Sequence, residues 1–168
     1  MDSVETKINQ VYTSGIYSAL QNKDSIGYET LKLKLKKSNT KDADKIILEA
    51  DIKKFQRKKD WANYSKLVSD YIQKYDDKNA NDLNSYAWTF YENIDDKTML
   101  TKAAAWAKKA TELDDNYPYN DTYAAILYKS GNYSEAKKIA EKAIALAKKN
   151  GDDYKETEAL LVKINAAK

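Results

Sequence analysis

The chain has 168 residues, 42% hydrophobic and 33% charged, with net charge +3, four glycines, one proline, and neither cysteine nor histidine. Without cysteine there is no disulfide, thiol redox centre or cysteine-rich zinc site; without histidine there is no imidazole base, Ser-His-Asp triad or HExxH metal site. Arg57 is the sole arginine, which argues against nucleic-acid recognition built on bidentate guanidinium contacts, and no run approaches the roughly 18 apolar residues of a membrane span.

Few glycines and one proline leave little punctuation for a many-stranded β fold and point to helices. The start, Met1-Asp2-Ser3-Val4-Glu5, is acidic and polar and does not read as a signal peptide. A first helix is expected over 4–21, with Ile8, Val11, Tyr12 and Ile16 on one side. A second is expected over 25–37. Its stretch Leu31-Lys32-Leu33-Lys34-Leu35 alternates with period two, a strand signal, but Tyr28, Leu31 and Leu35 also form an i, i+3, i+7 stripe, and helix is the reading taken. A polar loop, 38–42, closes an N-terminal region of less regular packing, 1–42.

From residue 43 the periodicity sharpens. A third segment carries Leu48, Ile52 and Phe55, and a fourth Trp61, Tyr64, Val68, Tyr71 and Ile72. Four more are expected over 80–93, 98–113, 119–130 and 133–149, and a ninth over 153–165 with Leu160, Leu161 and Ile164. The expected organisation is a helix-pair array over 43–150 capped by a last helix in 151–168. Thr98, Asp121 and Ser134 stand beside helix starts as candidate caps, and Gly131 suits a helix end that needs positive φ.

Internal repetition carries the most information. Tyr86-Ala87-Trp88-Thr89-Phe90-Tyr91 returns as Tyr123-Ala124-Ala125-Ile126-Leu127-Tyr128, and Ala103, Ala107, Ala110 and Leu113 return as Ala136, Ala140, Ala143 and Leu146. Alanines three and four apart line one helix face and let a neighbouring helix approach closely. The stretch from Ala124 through Gly131-Asn132-Tyr133 to Ala136, Ala140, Ala143 and Leu146 resembles a tetratricopeptide repeat. Residues 80–116 resemble a degenerate copy, and 45–75 a poorer one in which Tyr64 and Tyr71 replace small residues. The resemblance implies an all-α fold of antiparallel helix pairs stacked as a right-handed solenoid, whose first helices line a groove that receives a protein or peptide.

A narrower likeness rests on Asn84-Ser85-Tyr86-Ala87-Trp88, Ala103…Trp106-Ala107 and Asp121-Thr122-Tyr123-Ala124. Over about 45–165 the chain is similar to the helical C-terminal half of thioredoxin-family proteins of Bacteroidetes. That likeness implies an accessory domain of a periplasmic or cell-envelope protein; without it, the expectation is a cytoplasmic protein. The thioredoxin part and its Cys-x-x-Cys are absent from this sequence, so no redox activity is carried over.

The carboxylate pairs Asp76-Asp77, Asp95-Asp96, Asp114-Asp115 and Asp152-Asp153 all fall at expected helix ends, where aspartate caps amides, and capping is preferred to metal binding or hydrolysis. The segment beginning Asp77-Lys78-Asn79 imitates a calcium loop but has Asp82 for the required glycine and Trp88 for the final glutamate. Lysine runs at 32–37, 53–59 and 148–149 are read as solvated helix faces, and the glycosylation-like triplets at Asn63, Asn120 and Asn132 carry little weight. Trp61 and Trp106 are expected in the core. Leu83, Ala87 and Phe90 form the packed side of their helix, leaving Asn84, Trp88, Tyr91 and Glu92 facing elsewhere, with Asp121, Ala125, Tyr128 and Lys129 equivalent one repeat later. By the resemblance these eight residues are the groove candidates. The expectation is therefore a protein-interaction or scaffold module, with no catalytic residue, cofactor or metal; its alternative is a self-associating structural domain that positions a fused enzyme.

Overall fold

The computed structural model describes residues 3–75 and 78–167, and among them nine α-helices and no strand are found. They are α1 (Val4–Gln21), α2 (Ser25–Lys37), α3 (Ala43–Lys58), α4 (Trp61–Tyr75), α5 (Ala80–Asn93), α6 (Lys97–Leu113), α7 (Tyr117–Lys129), α8 (Tyr133–Asn150) and α9 (Lys155–Ala166). The chain divides into two compact units, Met1–Asp76 and Asp77–Lys168. This division lies within the array expected over 43–150, because α3 packs against both α1 and α2 and so belongs with them.

In the first unit α1 packs on α2 and α3, and α3 on α4. Ile16, Ala19, Tyr28, Leu35, Ala43 and Ala50 form its core. The alternating stretch of α2 resolves as helix: Tyr28 and Leu35 are buried while Leu33 is 60% exposed, so the i, i+7 stripe is what packs. Two lysines of the expected wet faces are not wet. The Lys32 ammonium donates to Asp51 at 2.7 Å, beside the Tyr28 hydroxyl donating to the same carboxylate, and Lys54 donates to Glu29 at 2.7 Å. Tyr64 and Tyr71 are buried in α4, where the Tyr71 hydroxyl donates to Glu49, so large rings fill what alanines fill elsewhere.

In the second unit each helix packs on the next, and α7 also packs on both α5 and α9. The alanine faces are buried: Ala103, Ala107, Ala110, Ala136, Ala140 and Ala143 have no exposed area. Trp106 is buried edge-on against Phe90, with ring centroids 5.0 Å apart. The α7–α8 turn is a Schellman ending. Gly131, at φ +88°, donates its amide to the Tyr128 carbonyl, and the Asn132 amide returns to the Leu127 carbonyl.

The helix caps differ from those expected. Asp96, not Thr98, caps α6 by accepting from the Met99 amide, and Asn116 caps α7 by accepting from the Tyr119 amide. Helix α7 therefore starts two residues earlier than expected, with Pro118 in a first turn that needs no N–H from it. Asn132 precedes α8 without a side-chain cap bond, so Ser134 lies inside the helix. Helix α9 begins at Lys155, whose amide is taken by Asp153.

Candidate functional site

The eight groove candidates lie on α5 and α7, which pack directly on one another within the second unit. Behind them, Ala124, Ala125, Leu127, Leu160 and Ile164 form a cluster against which Trp88, Tyr91 and Tyr128 are all seated. These three aromatics are half-buried, each with one side on that cluster and the rest open. The Trp88 and Tyr91 rings lie 5.0 Å apart between centroids, tilted by 38°. Ala125, expected in the groove, is only 3% exposed and belongs to the cluster itself; its small side chain is what allows α5 and α7 to meet there.

Charged groups frame the aromatics unequally. Lys129 reaches back from α7, donating to the Tyr91 carbonyl at 2.7 Å and pairing with Asp95 at 2.9 Å, its ammonium 5.8 Å from the Tyr91 ring centroid. It thereby satisfies a carbonyl in the last turn of α5 and fixes that end of the face. Glu92 is exposed. Asn84 is half-buried, and its side-chain carbonyl oxygen is enclosed with no hydrogen-bond partner among the described residues.

Asp121 has a different task from a helix cap. It is the fifth residue of α7, and its carboxylate accepts from the Thr157 hydroxyl of α9 at 2.6 Å. Because Thr157 spends its proton there, the Tyr117 hydroxyl at 3.0 Å donates to the Thr157 oxygen, giving a Tyr117–Thr157–Asp121 relay between α7 and α9. Thr157 is fully buried. Burial pushes the Asp121 acid above its ordinary range, the Thr157 hydrogen bond pulling it down and Glu156 adding to the rise. Burial likewise raises Tyr91, with Asp121, Tyr128 and Glu92 close enough to add to it. Trp88, Glu92, Asp121, Tyr128 and Lys129 thus come together around Tyr91. The sequence pattern singles out neither Thr157 nor Tyr117. Its one usable signal is spacing: Thr157 stands 36 residues after Asp121, close to the 37 residues that separate Tyr86 from Tyr123.

The other motifs resolve into local structure. Asp95 meets Lys129, Asp96 caps α6, Asp114 accepts from the Asn116 side chain, and Asp115 pairs with Lys142, which holds its acid below the ordinary range. Asp76-Asp77, and with it the start of the calcium-like segment, lies outside the described residues. Among the described residues no group of three or more acidic side chains could hold a metal ion, and no helix is long and apolar enough to cross a membrane. Asn120 is 1% exposed, closed to modification in the folded chain. Trp61 is half-buried, edge-on to Tyr64 at 5.6 Å. No family model matches the chain, and neither a curated protein nor a solved structure matches it.

Proposed function

We propose that this chain is a protein-interaction module whose binding face is formed by α5 and α7, in a tetratricopeptide-like stack. The observation that carries this reading is the set of three half-open aromatics, Trp88, Tyr91 and Tyr128, seated on one alanine- and leucine-lined cluster. Aromatic rings held from behind supply contact area at small entropic cost, the character of binding hot spots. The packing of α7 on both α5 and α9 supports the stack, since helices of one kind then line one side. The partner is an extended peptide or protein segment. Aromatic and apolar groups of the partner meet the rings, and its donors meet Glu92. Catalysis is assigned to no residue, in keeping with a sequence that offers no histidine or cysteine. The likeness to helical domains that follow a thioredoxin domain would make the module the accessory part of an envelope protein.

Selection from a random peptide library displayed on phage tests the reading. Enriched peptides should bind the native chain and be lost on Trp88→Ala; peptides that retain full affinity for the variant would contradict it. A self-associating structural domain is the second reading, favoured by Val11, Ile26 and Leu33, which stand 60–83% exposed on α1 and α2.

A further inference from the structure

The first unit contains a cavity of about 350 Å³ where the end of α1, the turn at Lys23 and Asp24, the start of α2 and the end of α3 converge. Its wall is mainly apolar, from Ala19, Leu20 and the ring of buried Tyr28. Its rim is basic: Lys23, Lys54, Arg57 and Lys58 against the single acid Asp24. That imbalance is local, because Asp24 is already engaged as the cap of α2, accepting from the Gly27 amide at 2.8 Å. Lys54 is engaged too, with Glu29 at 2.7 Å and its ammonium 4.7 Å from the Tyr28 ring centroid. The side chains of Lys23 and Arg57 make no hydrogen bond or ion pair among the described residues, and that of Lys58 has only a longer-range attraction to Asp60. The only arginine of the chain therefore stands at the mouth of an apolar cavity with its five donors uncommitted.

We propose that this cavity binds a small amphiphilic organic anion, its acidic head held at the rim by Arg57, Lys58 and Lys23 and its short apolar body against Leu20, Ala19 and Tyr28. The volume lies at the lower end of small-molecule sites, which bury an apolar body and orient it with a few polar groups. A planar guanidinium matches a carboxylate or a phosphate ester in two parallel hydrogen bonds, and the lysines add point charge. A bare inorganic anion would leave the apolar wall unused, and a neutral amphiphile would leave the rim unused. The site is independent of the face on α5 and α7 and stands or falls without it.

Calorimetric titration of the whole chain with octanoate, octyl phosphate, octanol and inorganic phosphate tests the assignment. One octanoate or octyl phosphate should bind per chain, about tenfold or more tightly than octanol or inorganic phosphate, and the stronger of the two identifies the preferred head group. Binding should weaken as salt is raised, because the rim charges are exposed to screening. The double variant Arg57→Glu, Lys58→Glu changes only exposed side chains and should keep the native helical circular dichroism while losing about tenfold or more in affinity. Octanol binding as well as octanoate, absence of binding by either anion, or an unchanged affinity in the correctly folded double variant would overturn the proposal.

Discussion

Ala140 has no exposed area because α7 and α9 close over the alanine face of α8. A larger side chain there must force the helices apart, so Ala140→Leu should lower stability by roughly 1–3 kcal/mol. A urea denaturation midpoint equal to that of the native chain would place the alanine face elsewhere. Lys59 is the opposite case, a residue whose side chain is exposed but whose backbone is strained. It ends α3 at φ +54°, its amide returning to Gln56 and the next amide to Phe55. Glycine reaches that conformation without a Cβ clash, so Lys59→Gly should raise stability by roughly 1 kcal/mol, read from the same denaturation curve. The alanine face was legible in the sequence because small residues repeated at helical spacing mark the side of a helix that a neighbour approaches closely. The caps were not. Several oxygen-bearing side chains crowd each helix start, and which one caps depends on where the first unpaired amide falls: Asp96 rather than Thr98, Asn116 rather than Asp121.

Elements reveal what the linear pattern leaves undetermined. The positions of α1 and α2 follow from the sequence, since Tyr28 and Leu35 are buried with Leu31 packed against their cluster, as a helical stripe should be. The sorting of α2 lysines into solvated and paired does not. Lys32, Lys34 and Lys36 are chemically alike, and only the passage of Asp51 on α3 beside Lys32 distinguishes them. The relay from α7 to α9 is equally invisible from local pattern, because Asp121 and Thr157 meet through the packing of helices 36 residues apart. Burial raises the folded-state pKa of Asp121 above its unfolded value. Its contribution to stability is therefore fully present below the unfolded pKa and lost as pH rises through the folded one. Asp121→Asn does not titrate and should gain on the native chain between about pH 3.5 and about pH 7, since an unfolded aspartate titrates near 3.9. Denaturation midpoints of the two proteins at both pH values check this; a gap that moves the other way would mean the carboxylate is favourably placed as an anion.

At the scale of the whole molecule the charge divides with the units. Residues 1–76 carry 15 basic and 11 acidic side chains, while 77–168 carry 14 and 15, so the basic-rimmed cavity sits in the unit of net positive charge. Four large apolar residues described in the first unit are exposed, Val4 and Val11 on α1 and Ile26 and Leu33 on α2, each next to a polar residue in sequence, and a few exposed apolar side chains are ordinary for a surface. Sedimentation equilibrium should accordingly give the same mass for the native chain and for Leu33→Glu. A dimer that the substitution dissociates would favour the self-association reading. The proposed binding face turns on Trp88, which is half-buried on the core cluster with its ring 5.0 Å from that of Tyr91. Its most direct test is Trp88→Ala with two readouts on one sample, the denaturation midpoint and the affinity for a peptide selected on the native chain. A binding anchor should cost about 2 kcal/mol or more in affinity, with the fold largely retained. A stability loss of roughly 3–5 kcal/mol, the cost of removing an enclosed aromatic side chain, with affinity unchanged in the folded fraction, would contradict the account.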